Sequence, residues 1–255
     1  MITGETMSKP ALSIVIPVYN EAANFPALRD ALAQKIQTPF DAYVVYDFDE
    51  DNTVPIVRQA IESGDARFHL VKNSIRRGVV GALLAGFRQV SSGPLIVAMG
   101  DLSDDLSIVD EMVTLHGQGF HVVSASRYMP GGKLVGGPFL KRNMSRWAGL
   151  TLHWLRGMPT HDATNSFKLY DARMLNSFTL ESQGGFELSL EITVKAFLAG
   201  YCITEVPTTW RDRTAGESRF KLWNWLPRYL RWYFHAFRRK AILRDASDGA
   251  RSRSD

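Results

Sequence analysis

Cysteine is nearly absent. Cys202 is the single thiol in 255 residues, so no disulfide closes within the chain and the small disulfide-stapled scaffolds are excluded. Long apolar runs are missing too. Stretches such as LSIVIPVY from Leu12 and LIVAM from Leu95 fall far short of the roughly 18 to 20 residues that a membrane-spanning helix requires. The opening MITGETMSKP lacks the basic-then-apolar order of a secretory leader, which with the lone thiol predicts a reducing, cytosolic setting. His116, His121, His153, His161 and His235 show neither HExxH nor paired metal spacing, and no G-x-S-x-G elbow occurs, which removes zinc and serine hydrolases.

What is present is ordinary globular composition. Hydrophobic residues make up 45% and charged residues 22%, enough for a core in one large domain and unlike disordered, collagen-like or coiled-coil chains. The net charge of +4 is uneven: Arg219 to Asp255 holds 10 basic and 3 acidic side chains, leaving the first 218 residues at a net −3. An acidic body with a basic, aromatic tail argues against a general nucleic-acid binder and for attraction to a membrane surface.

Strands and helices alternate along the chain. Leu12 to Val18 reads as a buried strand, followed by a helix over Asn24 to Ala33, a strand Phe40 to Tyr46, a helix Val54 to Ser63 and a short strand Phe68 to Val71. A small-residue helix over Gly81 to Val90, a strand Leu95 to Met99, a helix around Ile108 to His116 and a strand His121 to Ser126 continue the pattern. A glycine-rich loop from Pro130 to Pro138 leads to a helix Leu140 to Leu155, then mixed structure, a helix within Gly185 to Ala199 and a strand Tyr201 to Val206. Such βαβ alternation predicts a mainly parallel sheet with ligands beyond the carboxyl ends of its strands. RRGVVGALLAGF has neither the GxGxxG nor the GxxxxGK[ST] order, and its small residues predict close packing of helix on sheet.

Two strand ends are acidic, VYDFDEDNT from Val45 to Thr53 and MGDLSDD from Met99 to Asp105. On one rim, such carboxylates can accept from a ribose diol or a nucleobase N–H edge, bind a cation, or cap the following helices. A hard divalent ion needs few protein oxygens, and Asp101 with either Asp104 or the Ser103 hydroxyl suffices, N-capping by Ser103 or Asp104 being the competing use. Arg127, Arg142 and Arg146, and Arg211, Arg213 and Arg219 in RDRTAGESR, supply forks suited to phosphoryl oxygens.

The order of LSIVIPVYNEAANF, VVYDFDEDNT, RRGVVGALLAGF, VAMGDLSDD, SRYMPGG, KRNMSRWAG, DATNSFKLY, GGFELSLE and EVPTTWRDRTAGESRF resembles family-2 glycosyltransferases of the GT-A fold, specifically the dolichol-phosphate or polyprenyl-phosphate mannosyltransferase group. The similarity runs from about Leu12 to about Leu222. It implies an α/β GT-A fold that moves a hexose, typically mannose from GDP-mannose, with inversion to a polyprenyl phosphate. It also implies that Pro17, Tyr19, Asn20, Glu21 and Asp47 bind the nucleotide, that Asp101 is the second acid of a metal-binding D-x-D, and that Arg127, Arg142 and Arg146 face the acceptor. Arg213, Ser218 and Arg219 match the donor-phosphate loop. Met99-Gly100-Asp101 stands where the family has D-A-D, and Tyr46-Asp47-Phe48-Asp49 where it has D-D-G-S. With the first acid missing, either Asp104 and Asp105 supply the charge for Mg²⁺ or Mn²⁺, or arginines neutralise the diphosphate alone.

The catalytic group expected is therefore Asp101, Asp104, Arg127, Arg213 and Arg219, with Asp104 or Asp105 as base if the acceptor is a hydroxyl. Alternatives are a UDP- or dTDP-sugar enzyme of surface glycan synthesis and a catalytically silent nucleotide-sugar-binding subunit. The domain spans 11–221, between a flexible 1–10 and a basic amphipathic helix at 222–240, with a disordered tail at 241–255. That helix places Leu222, Leu226, Tyr229, Leu230, Tyr233 and Phe237 on one stripe, which suits either a peripheral anchor at the cytoplasmic face of a membrane or packing on the body.

Overall fold

The computed structural model describes residues 11–136, 139–211 and 222–238. The flexible segment expected at 1–10, the tail at 241–255, and Arg213, Ser218 and Arg219 lie outside the described residues. In chain order the elements are β1 Leu12–Pro17, α1 Phe25–Lys35, β2 Phe40–Tyr46, α2 Thr53–Glu62, β3 Phe68–Lys72, α3 Val79–Phe87 and β4 Pro94–Val97. A 3-10 turn at Leu106–Ile108 precedes α4 Val109–Gly117, β5 Val122–Ser126, β6 Lys133–Val135, α5 Phe139–Arg156 and β7 Lys168–Asp171. The chain then forms α6 Ala172–Asn176, α7 Glu187–Leu198, β8 Ile203–Pro207, β9 Thr209–Arg211 and α8 Leu222–His235.

Seven strands make one sheet in the order β3-β2-β1-β4-β7-β5-β8, parallel throughout except for β7, which runs antiparallel to both neighbours. Apolar side chains leave both sheet faces, so each face carries a core. One is built with α1, α2 and α4, and the other with α3, α7 and α8. The small residues of α3 pack as expected. A Cβ on Gly86 would run into the Val15 and Val45 side chains, and one on Gly81 into the Arg76 carbonyl. A separate parallel ribbon, β6 with β9, stands beside the sheet.

Two local expectations change. The stretch after α5, which reads as mixed structure, resolves into β7 and α6, with Asp171 capping α6 by accepting from the Met174 N–H at 2.9 Å. On α8 the inward side is not the expected stripe. Trp232 and Ala236 are buried with Tyr229 and Tyr233 half-buried, while Leu230 and Phe237 from the stripe face solvent. Trp232 is drawn inward because α8 lies on α7, where Lys195 sits 5.0 Å from its ring, and Arg231, 5.1 Å from the ring, pairs with Glu181.

Candidate active site

The carboxyl ends of β1, β2 and β4 meet where the strand order reverses, which is where an open α/β sheet leaves a crevice. The β1 end is pinned to the start of α2. The Asn20 N–H donates to Asp51 at 3.0 Å, the Glu21 N–H to Thr53 Oγ1 at 2.8 Å and the Ala22 N–H to Asn52 at 3.1 Å. Asn20 accordingly adopts φ +56°, a left-handed geometry that asparagine tolerates. Beside it Tyr19 meets Phe48 edge-on, ring centres 5.4 Å apart, so the residue in place of the family's glycine adds an aromatic wall. Asp47 accepts from the Gly78 N–H at 2.7 Å and from Asn73 Nδ2 at 2.6 Å, which ties β2, β3 and the start of α3 together. Asn73, Asp51 and Thr53 carry the frame of this rim. Asp51 and Thr53 belong to the acidic stretch read from the sequence and Asn73 does not, and for all three the framing role stays hidden because the partners lie 26 to 32 positions away along the chain.

The β4 end turns sharply. Leu102 adopts φ +60°, unusual for a bulky residue, and holds Asp101 where its carboxylate accepts from the Ser103 N–H at 3.1 Å. Asp104 folds back to accept from the Met99 N–H at 3.2 Å. Burial lifts the Asp104 carboxyl to about 7, with Asp101 adding to the rise and the Met99 amide and Arg127 opposing it. Neither Ser103 nor Asp104 caps the following turn. Asp105 does, accepting from the Ser107 N–H at 3.1 Å. Gly100 lies against Glu21, a Cβ there being 3.4 Å from Glu21 Cγ, so the loop after β1 and the acidic loop after β4 touch. Among the described residues no group of three or more His, Cys, Asp or Glu is arranged to hold a metal ion.

Next to this rim a cavity of about 560 Å³ opens between β5, the glycine-rich loop and α5, lined by Arg127, Tyr128, Gly132, Leu134, Arg142 and Arg146 among others. Pro17, Tyr19, Asn20, Glu21, Asp47, Asp101, Ser103 and Asp104 thus share one rim, and the three arginines share the adjoining cavity. The two are joined by charge, since Asp104 and Arg127 act on each other, and by backbone, since the Arg211 N–H of β9 reaches the Ser103 carbonyl at 3.4 Å.

Behind the cavity, Arg127 is paired with fully buried Asp162, Nε and Nη2 donating at 2.7 and 2.9 Å. Burial works against both charges and the pair outweighs it, so Arg127 sits above its ordinary range and Asp162 below its own. Lys168 on β7 is also fully buried, and its ammonium donates to the Ala163 and Asn165 carbonyls and Ser189 Oγ. Burial brings its pKa down to about 7, with Asp162 opposing that fall and Arg127 adding to it. The unfolded chain therefore holds a proton that the folded chain lacks between about pH 7 and 10.5, and stability contributed here rises with pH across that window. Replacing Lys168 by Met is expected to lower the slope of unfolding free energy against pH between 7.5 and 9 by about 1 kcal/mol per unit. Urea denaturation at four pH values measures it, and an unchanged slope refutes it.

The model of the family described as glycosyl transferase family 2 matches residues 13–178. The chain belongs to that family. As a family-2 glycosyltransferase it is 25% identical over 211 residues to polyprenol monophosphomannose synthase of Mycolicibacterium smegmatis, covering 81% of this chain and 79% of that protein. It is also 25% identical over 215 residues to dolichol-phosphate mannosyltransferase of Pyrococcus furiosus, covering 82% of this chain and 59% of the relative. Glucosyl-3-phosphoglycerate synthase of Mycobacterium tuberculosis in complex with UDP shares the fold with a TM-score of 0.64 at 18% identity, over 89% of this chain and 80% of that one. The same enzyme with Mn²⁺, UDP and glucosyl-3-phosphoglycerate gives a TM-score of 0.62 at 18% identity, over 89% and 78%. Likeness at that identity establishes the GT-A fold, which agrees with the mainly parallel sheet and its acidic rim.

Proposed function

We propose that this glycosyltransferase moves mannose from GDP-mannose to a polyprenyl phosphate with inversion at the sugar carbon. The observation that carries the reading is the arginine-lined cavity beside the acidic rim. A phosphate monoester, with its second pKa near ~6, is already mostly dianionic at neutral pH, so such an acceptor needs cations to hold it and no general base. Its oxygen attacks the anomeric carbon, and the bond to the nucleoside diphosphate breaks with the electron pair leaving on that diphosphate. Arg127, Arg142 and Arg146 hold the acceptor in line, and Pro17, Tyr19, Asn20, Glu21 and Asp47 hold the nucleoside.

A divalent ion fits the donor set, because Mg²⁺ or Mn²⁺ takes one or two carboxylates and completes its shell with phosphate oxygens and water. Asp101, with Ser103 or Asp104, would hold it, and it would offset charge on the departing diphosphate. Arg213, Ser218 and Arg219 are assigned to the same diphosphate. One observation favours a hydroxyl acceptor instead: Asp104, at about 7, has the pKa of a general base. Transfer of label from GDP-mannose to undecaprenyl phosphate but not to undecaprenol supports the phosphate reading. Equal transfer to the alcohol, or transfer from UDP-glucose alone, replaces it.

Peripheral membrane association accompanies this function. Among the described residues no helix is long and apolar enough to cross a bilayer. Trp147, Trp154 and Leu155 on α5 are exposed beside exposed Phe234 and Phe237 on α8, and Tyr233 OH donates to Thr151 Oγ1 at 3.0 Å across the two helices. Exposed aromatic side chains on two helices, in a chain whose C-terminal stretch is basic, suit a lipid headgroup region, where each cation near the surface contributes about 1 kcal/mol. Exchanging Trp147, Trp154 and Phe234 for alanine is expected to weaken binding to anionic vesicles at least tenfold, and 0.5 M salt to weaken the wild type. Cosedimentation of the triple variant at wild-type levels rejects this face.

A further inference from the structure

The loop from Thr160 to Ser166 enters β7, and its polar groups serve an arginine on another strand. Asp162 accepts from the Arg127 N–H at 3.1 Å as well as from Nε and Nη2 of its guanidinium. The same carboxylate accepts from the Asn165 N–H and from Thr164 Oγ1, both at 3.2 Å. Thr164 Oγ1 and Ser145 Oγ lie 2.6 Å apart, and Nη2 also reaches Ser145 Oγ at 3.2 Å. Nη1 is then the one guanidinium nitrogen with no hydrogen-bond partner among the described residues, on a side chain that lines the cavity. Beneath the loop, Lys168 and Ser189 fasten its carbonyls, both meeting the Asn165 oxygen.

From this geometry we infer that Asp162 is a positioning residue for the acceptor phosphate, fixing the Arg127 fork so that its Nη1 edge is presented to the cavity. The inference rests on the phosphate-acceptor reading above and adds to it a residue that touches neither substrate. It also divides labour among the arginines. Asp162 cancels most of the Arg127 charge, so Arg127 serves as a directed donor, and Arg142 and Arg146 supply the field that draws the anion.

Charge and position make opposite forecasts. Asp162→Asn removes a negative charge near the cavity, so a purely electrostatic role makes the anion bind more tightly. Loss of the fork makes it bind more weakly. Calorimetry with dodecyl phosphate, with GDP-mannose as the second titrant, separates them. Affinity of Asp162→Asn for dodecyl phosphate is expected to fall at least fivefold, with GDP-mannose affinity within twofold, KM for the acceptor raised and kcat changed less. Equal or tighter dodecyl phosphate binding by the folded variant overturns the inference. Should Asp162→Asn not fold, the double variant Ser145→Ala and Thr164→Val takes its place, with at least a threefold loss expected and no loss overturning the inference. If the wild type itself binds no dodecyl phosphate, the phosphate reading of the cavity fails, and the inference with it.

Discussion

Asp101→Ala is expected to lower the transfer rate at saturating acceptor at least a hundredfold, about 3 kcal/mol of transition-state stabilisation, the scale seen when one preorganised electrostatic group is removed. In the proposed reaction negative charge grows on the leaving diphosphate, and with methionine at position 99 Asp101 is the acid of that turn to which the proposal gives the offsetting role. Its carboxylate also braces the turn through the Ser103 N–H, a bond of about 1 kcal/mol, so alanine alone confounds charge with geometry. Asp101→Asn resolves this, because an amide oxygen can keep the Ser103 contact without the charge. Asparagine is expected to be nearly as inactive as alanine, with a melting temperature within about 2 °C of wild type, a change of about half to 1 kcal/mol. Initial rates across a Mn²⁺ titration test both variants. Retention of a third or more of the activity in Asp101→Asn assigns the residue to the turn and removes it from the chemistry.

Asp162→Ala is expected to cost about 3 to 5 kcal/mol of folding stability, the price of leaving a buried guanidinium without its carboxylate. Asp162 is wholly buried and the Arg127 side chain is only 12% exposed, so solvent cannot take over the lost partner. The Asn165 and Arg127 amides lose their acceptor in the same step. At about 2 to 4 °C per kcal/mol for a chain of this size, the melting temperature should fall by roughly 10 °C. Adding Arg127→Met to Asp162→Ala should recover part of the loss, since the stranded charge is the larger cost. A single variant that melts within 2 °C of wild type shows that water or a rearranged side chain satisfies Arg127 and refutes this account.

Much of this architecture was open to reading residue by residue. LSIVIP and FDAYVVY announce buried strands because three or more β-branched or aromatic residues stand together, VVSAS because two valines precede small residues, and each leads to polar residues at the carboxyl rim of the sheet. Tyr19, Asp47 and Asp101 could be placed on one edge for that reason. What stayed hidden depends on distant partners. KLYD is four residues with a charge at each end, and nothing local states that its lysine is buried against backbone carbonyls or that it runs against its neighbours. Asp162 reads as a turn residue until Arg127, 35 positions away, is brought beside it. Trp232 looks like one of several exposed aromatics until Lys195 and the ridge of α7 claim it. The β6 and β9 ribbon, at three residues a strand, lies below what periodicity can detect.

The reversed direction of β7 limits how the chain can be lengthened. Because that strand starts where its neighbours finish, the loop leading into it reaches the ligand rim directly, anchored at one end by α5 and at the other by Lys168. One added residue between Thr160 and Ser166 would swing Asp162 away from Arg127, whereas the turn from Ser63 to Arg67 on the opposite edge has room to grow. Tolerance to insertion should therefore differ sharply between the two edges. A scan of single-glycine insertions scored by soluble yield would show it.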